Sequence, residues 1–175
     1  MRLPHFEGKP VNITWQHGLR AYRGRLHSGE GPGEQVHAAS FLRKRELVLD
    51  TSLKHDSIEL ARILTHEIFH FVWWRLGNRT RLEWQALIEE EFARGAMGEL
   101  GWSAEARKKC LSVEDRHDRT RIWRDYICES FCDTAAWIYS GVSEHEEFTL
   151  KPRFRTIRRD WFDQLTRHHG GALRI

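Results

Sequence analysis

The chain has 175 residues, 40% of them hydrophobic and 30% charged, with a formal charge of +3 at pH 7. That length suits a single domain over residues 1–175 with a sizeable core, and the composition excludes a disordered or fibrous chain. So small a net charge counts against nucleic acid as a partner, and no apolar run of signal-peptide or membrane-spanning length is present, so the expected setting is cytoplasmic and away from the membrane.

The first fifty residues read as strands. "VNITWQ" (11–16) alternates in the strand manner, and "LRAYRGRL" (19–26) is expected to pair with it. "HSGEGPGE" (27–34) is a loop by its Gly and Pro content. "QVHAASFL" (35–42) and "ELVLD" (46–50) are two further strands around the basic turn "RKR". Helical patterning follows. Asp56 with Glu59 three residues on marks a capped start, and a helix is expected from 57 to 76 with Gly77-Asn78 as its stop. Further helices are expected over 80–100, 103–111 and 117–141, and a basic amphipathic one over 153–168. Strands first and helices after predict an α+β domain.

The first of these helices carries "THEIFHF" (65–71), with His66 and His70 one turn apart on one face. Two imidazoles so placed can bind one zinc ion at ~2.0–2.1 Å, while Glu67, rotated by about 100°, flanks the ion as a base for water. The surrounding "LARILTHEIFHFVWWRL" is apolar nearly all round, and such a helix is buried. Burying two imidazoles and a carboxylate without partners would cost several kcal/mol, a cost that a metal removes.

A catalytic zinc needs a third protein donor. The His-x-x-Gly-x-x-His extension is excluded, because Trp73 and Leu76 stand where Gly and His would be required. Glu129 is one candidate: Ile122, Tyr126, Glu129, Asp133 and Trp137 form one stripe on an otherwise apolar helix. Asp133 could then accept a proton from the far nitrogen of His66 and fix its tautomer. The run Glu89, Glu90, Glu91 is the rival, but no carboxylate follows any of the three at four residues, and three acids in a row usually form a solvated face. The buried-charge argument favours Glu129.

His66-Glu67-x-x-His70 with Glu129-x-x-x-Asp133 resembles the gluzincin metallopeptidases, the thermolysin-like group, over roughly residues 35–141. The resemblance implies a minimal zincin-like fold, with a small, mostly antiparallel N-terminal sheet, an active-site helix, a glutamate helix and a C-terminal helix. It implies peptide-bond hydrolysis of a peptide or protein substrate, which lies along an edge strand as an added strand. Here "QVHAASFL" or "ELVLD" would be that edge, with Ala38, Ala39 and Ser40 allowing close approach. Zinc would be the cofactor and Glu67 the general base. No C-terminal domain carrying a transition-state histidine is recognisable, so the oxyanion partner is sought nearby. Tyr126, one turn before Glu129, is the first choice, ahead of His145 and Tyr139. The alternative is a zinc-binding regulatory or interaction protein that keeps this fold with little or no turnover.

Other features read more plainly. Cys110, Cys128 and Cys132 are odd in number, which suits a reducing compartment. Cys128 and Cys132 flank Glu129, so one could face the site. His168-His169 reads as a solvated end, and the basic residues from Lys151 onward as a solvated helix face, with an acidic partner or nucleic acid as the sharper option.

Overall fold

Leu47, Val48 and Leu49 are almost wholly buried, and the strand that holds them, β7 (Glu46–Asp50), is the middle of the main sheet. A computed structural model describes residues 3–175 of the chain. In it β7 lies between β2 (Asn12–Gln16), parallel to it, and β6 (Ala38–Phe41), antiparallel to it. A central strand buried on both faces needs the continuous apolar run that "LVL" supplies. β6 is thus an edge strand and β7 is not, which leaves one of the two segments that were candidates for an open edge.

Residues 19–26 do not pair with 11–16. They fold back on themselves as β3 (Leu19–Tyr22) and β4 (Arg25–Ser28), because Arg23 and Gly24 both take positive φ, 49° and 71°. Two such residues make the tight hairpin turn whose twist matches paired strands. β5 (Glu34–Gln35) joins β3, and β1 (His5–Glu7) pairs in parallel with β8 (Ala172–Arg174). Three strand pairings are antiparallel and two parallel, so the sheets are more mixed than expected.

A short 3-10 turn, Thr51–His55, leads into α1 (Ser57–Arg75). The Asp56 carboxylate accepts from the backbone N–H of Ile58 and Glu59, satisfying two donors that the first turn leaves free. α2 (Asn78–Ala93) follows directly. It stops seven residues before the expected end, and Gly95 and Gly98 take positive φ in the turn that follows. α3 (Trp102–Lys109) is short, a separate turn of helix, α4 (Val113–His117), follows it, and the helix expected over 117–141 begins later, as α5 (Arg121–Tyr139). Ser112 and Asp115 cap α4 reciprocally. α6 (Pro152–His168) closes the helical layer. The chain is α+β, and no helix among the described residues is long and apolar enough to cross a membrane.

The core is aromatic. Phe69, Trp84, Phe131 and Phe162 meet with ring centroids 4.9–6.1 Å apart, which locks α1, α2, α5 and α6 together. Beside them lies a buried ion network that sequence reading did not foresee. Arg158 of α6, fully buried, donates to Glu91 and to Glu99 Oε2, 2.8 Å away. Glu99 also accepts from Tyr126 and from Lys108. Burial would raise the Glu99 pKa, but Arg158 and Lys108 outweigh it and hold the carboxyl below its ordinary value. Replacing Arg158 with Ala leaves Glu91 buried without its cation and Glu99 with Lys108 alone. It should cost about 3–5 kcal/mol in urea unfolding, whereas Arg153→Ala on the exposed face should cost little.

Candidate metal centre

Side chains from three helices build the site. α1 and α3 both pack against α5. His66 and His70 come from one face of α1, and Glu129 and Asp133 from the facing stripe of α5. His66 Nε2 stands 3.1 Å from His70 Nε2 and 3.2 Å from Glu129 Oε2, and His70 Nε2 is 3.8 Å from the same oxygen. Donors on a tetrahedral zinc at ~2.0–2.1 Å stand about 3.3–3.4 Å from one another. The three separations bracket that value.

Proton bookkeeping makes the triangle informative. His66 Nδ1 is 2.7 Å from Asp133 Oδ1. A carboxylate only accepts, so Nδ1 carries the proton and the Nε2 of a neutral ring is a bare lone pair. Nε2 of His66 therefore faces a carboxylate oxygen and a second imidazole nitrogen, an arrangement of acceptors that needs a positive charge. Without a metal, a proton on one of the two Nε2 atoms has to stand in for it. Burial would lower the His66 pKa, but the charge and hydrogen bond of Asp133, with Glu129 behind them, lift it well above its ordinary value. Burial opposes the charged form of His70 too, yet Cys128 and Glu129 raise its pKa to about 9 against repulsion from His66. Burial acts upward on Glu129, but the two imidazoles and Arg107 bring it down to about 2.

Each member of the triangle is held from behind. Glu129 Oε1 pairs with the Arg107 guanidinium of α3 at 3.0 Å, so the other carboxylate oxygen is the one turned to the imidazoles. Asp133 Oδ2 accepts from the Ala104 N–H in the first turn of α3, 2.8 Å away. That approach depends on Gly101, where a Cβ would overlap the Asp133 carboxyl group. Asp133 thus caps one helix with one oxygen and orients His66 with the other. Behind His70, Nδ1 lies 3.5 Å from both Cys128 Sγ and Cys132 Sγ. Hydrogen bonding with Cys132 and the nearby His70 bring the Cys128 thiol down to about 6 against the effect of burial.

Glu67 points elsewhere on α1. Its Oε2 accepts from Ser40 Oγ of the edge strand β6 at 2.5 Å, and its backbone carbonyl accepts from the same hydroxyl at 3.2 Å. Ser40 thereby fixes the carboxylate, a role that its small size alone did not suggest.

Other candidates lie apart from this triangle. Glu89 pairs with Arg119, Glu90 with Arg94, and Glu91 is buried against Arg158. Tyr126 does not offer a free hydroxyl to the imidazoles: it is fully buried and donates to Glu99 Oε1 at 2.5 Å. The choice of Tyr126 as oxyanion partner is corrected accordingly, because the stripe that carries Glu129 and Asp133 turns Tyr126 into the Arg158 network. His145, half-buried, pairs with Glu59 at 2.8 Å, and the Tyr139 hydroxyl meets Thr166. A second donor set exists in His66, His70 and Cys132, whose donor atoms lie within 4.8 Å of one another. The set with Glu129 is tighter, and it uses the same Nε2 atoms that the tautomer of His66 exposes.

No family model, curated protein or solved structure matches this chain.

An imidazole must lose its extra proton to bind a metal. Zinc added to metal-free protein at pH 7 should therefore release between about one and two protons per ion. Its apparent affinity should climb with pH through about 9 as the proton on His70 ceases to compete. After dialysis, Glu129→Ala should lose stoichiometric zinc by elemental analysis, while Glu89→Ala and Glu90→Ala retain it.

Proposed function

We propose that this protein is a zinc-dependent metallopeptidase with a minimal zincin-like fold, in which His66, His70 and Glu129 hold the ion and Glu67 is the general base. The observation that carries the reading is the triangle of His66 Nε2, His70 Nε2 and Glu129 Oε2, spaced 3.1–3.8 Å apart as donors around one small ion would be. A His-Glu-x-x-His helix facing a glutamate helix is the donor set used for hydrolytic zinc, with one position left open for water or substrate.

Bound there, zinc would supply a Lewis acid that polarises a carbonyl and makes water acidic near neutral pH. The rest of the chemistry belongs to the chain. Glu67 takes the proton of water on a carboxylate oxygen and passes it to the leaving amine, while Ser40 keeps that carboxylate in one orientation. Asp133 holds the His66 ring in the tautomer that leaves Nε2 free to bind. Arg107 keeps Glu129 turned with a single oxygen toward the imidazoles. β6, as the edge strand beside α1, offers backbone groups to an extended peptide. Three free thiols suit a reducing compartment such as the cytoplasm.

A second reading has one specific observation behind it. Tyr126, His145 and Tyr139 are all engaged with other residues, so none of the candidates for steadying an oxyanion has a free donor. A protein that binds zinc and presents the metal centre to a partner, with little turnover, fits that fact.

Cleavage of a fluorogenic peptide library by zinc-loaded protein separates the two. The peptidase reading expects turnover that falls at least about a hundredfold in Glu67→Gln, with zinc content unchanged. Absent turnover in the zinc-loaded wild type would leave the binding reading in its place, and turnover that survives Glu67→Gln would remove Glu67 as the base.

A further inference from the structure

Positive charge is compensated unevenly over this molecule. Arg62, Arg107, Lys108 and Arg158 each meet a carboxylate within 3.0 Å. Lys9, Arg43, Lys44, Arg45, Arg75 and Arg174 instead line two hollows that share Leu42, Arg43 and Trp74 and so form one surface. Among the described residues none of these six has an ion-pair partner, and Glu7 is the one acidic side chain lining the surface.

Structural duties account for little of this charge. Arg45 donates to the carbonyls of Lys9 and Pro10 and so pins the segment before β2. The last carbonyls of α1, on Trp73 and Trp74, are taken by Arg81, so Arg75 is not needed as a cap. Gathering cations without acids costs self-repulsion, which an anionic ligand relieves.

Aromatic rings stand among the charges. Trp74 is 40% exposed and lines both hollows, with the Arg75 guanidinium 4.8 Å from its centroid. The Lys44 ammonium is 5.6 Å from the Phe41 ring. Cations along a backbone track, with exposed aromatic faces between them, are what a single strand of nucleic acid requires: phosphates meet the cations and bases stack on the rings. An acidic peptide would use the cations and leave Trp74 without a partner.

We infer that this surface, formed by the Arg43–Arg45 turn, the end of α1 and the β1–β8 edge, binds single-stranded nucleic acid with a base stacked on Trp74. Net charge hides the feature, because +3 averages this surface with the acids elsewhere. Of the basic residues from Lys151 onward, only Arg174 contributes. Trp74 lies one turn beyond His70 on α1 and Phe41 follows Ser40 on β6, so the surface and the metal centre are built on two shared elements. Binding here does not depend on what that centre does.

The test is anisotropy of a labelled oligothymidylate of about twenty nucleotides with the full, metal-free chain, so its outcome leaves the peptidase reading untouched. Binding should weaken with salt at a log–log slope of about −3 to −4, as expected for roughly five neutralised phosphates on a single strand. The double variant Arg43→Gln, Lys44→Gln should bind at least about tenfold more weakly with a shallower slope. Trp74→Ala should lose about five- to a hundredfold with the slope unchanged, and Trp74→Phe should recover part of that loss. Thermal melting of each variant checks that it is folded. Absence of binding at low salt, wild-type affinity in Trp74→Ala, or displacement of the oligonucleotide by polyglutamate at equal charge would overturn the inference, the last in favour of an acidic peptide.

Discussion

Three lone pairs are forced to share one small volume, and most of what surrounds them exists to keep them there. His66 Nε2, His70 Nε2 and Glu129 Oε2 lie 3.1–3.8 Å apart in a nearly dry setting. Like-signed acceptors do not gather in a protein interior without a cation between them or protons upon them. The elevated His70 and the depressed Glu129 are two views of that single requirement. A divalent ion meets it with better geometry than protons do, since protons on two facing imidazoles repel each other.

Two supports keep the triangle from relaxing. The first is α3, which gives Arg107 to one acid and the Ala104 N–H to the other. Gly101 makes this possible, because any side chain there would collide with Asp133. The second is the Glu91–Arg158–Glu99 network, which ties α6 and the turn before α3 to the helical core. Lys108 links the two supports: it sits beside Arg107 on α3 and donates to Glu99 and to the Gly98 carbonyl. Substitution deep in the network should therefore be felt at the metal centre through the placement of α3.

Local periodicity carried the fold class and the facing histidine and carboxylate stripes, since a 3.6-residue repeat fixes which side chains share a helix face. It could not show which way each face turns. Tyr126 shares a stripe with Glu129 and Asp133, yet its hydroxyl reaches Glu99, a residue placed by the early end of α2 rather than by any helical pattern. Arg158 read as one more solvated cation on a basic helix, because its two carboxylate partners are 59 and 67 residues away in sequence. Arg107 gave no signal either: "SAEARKKCL" looks like a charged surface helix, and only tertiary packing sets one of its cations against Glu129. The pairing of β2 with β7 was missed for a different reason. The Arg23-Gly24 turn makes a local hairpin out of residues that alternate like a partner strand.

X-ray absorption at the zinc edge of the loaded protein tests the account most directly, because oxygen and nitrogen donors sit at ~2.0–2.1 Å and sulfur near ~2.3 Å. A first shell of light atoms alone, with the multiple scattering of about two imidazoles that is lost when His66 and His70 are replaced, is the expected result. A sulfur shell would move the third donor to Cys132, and a spectrum of zinc surrounded only by water would contradict the metal centre itself.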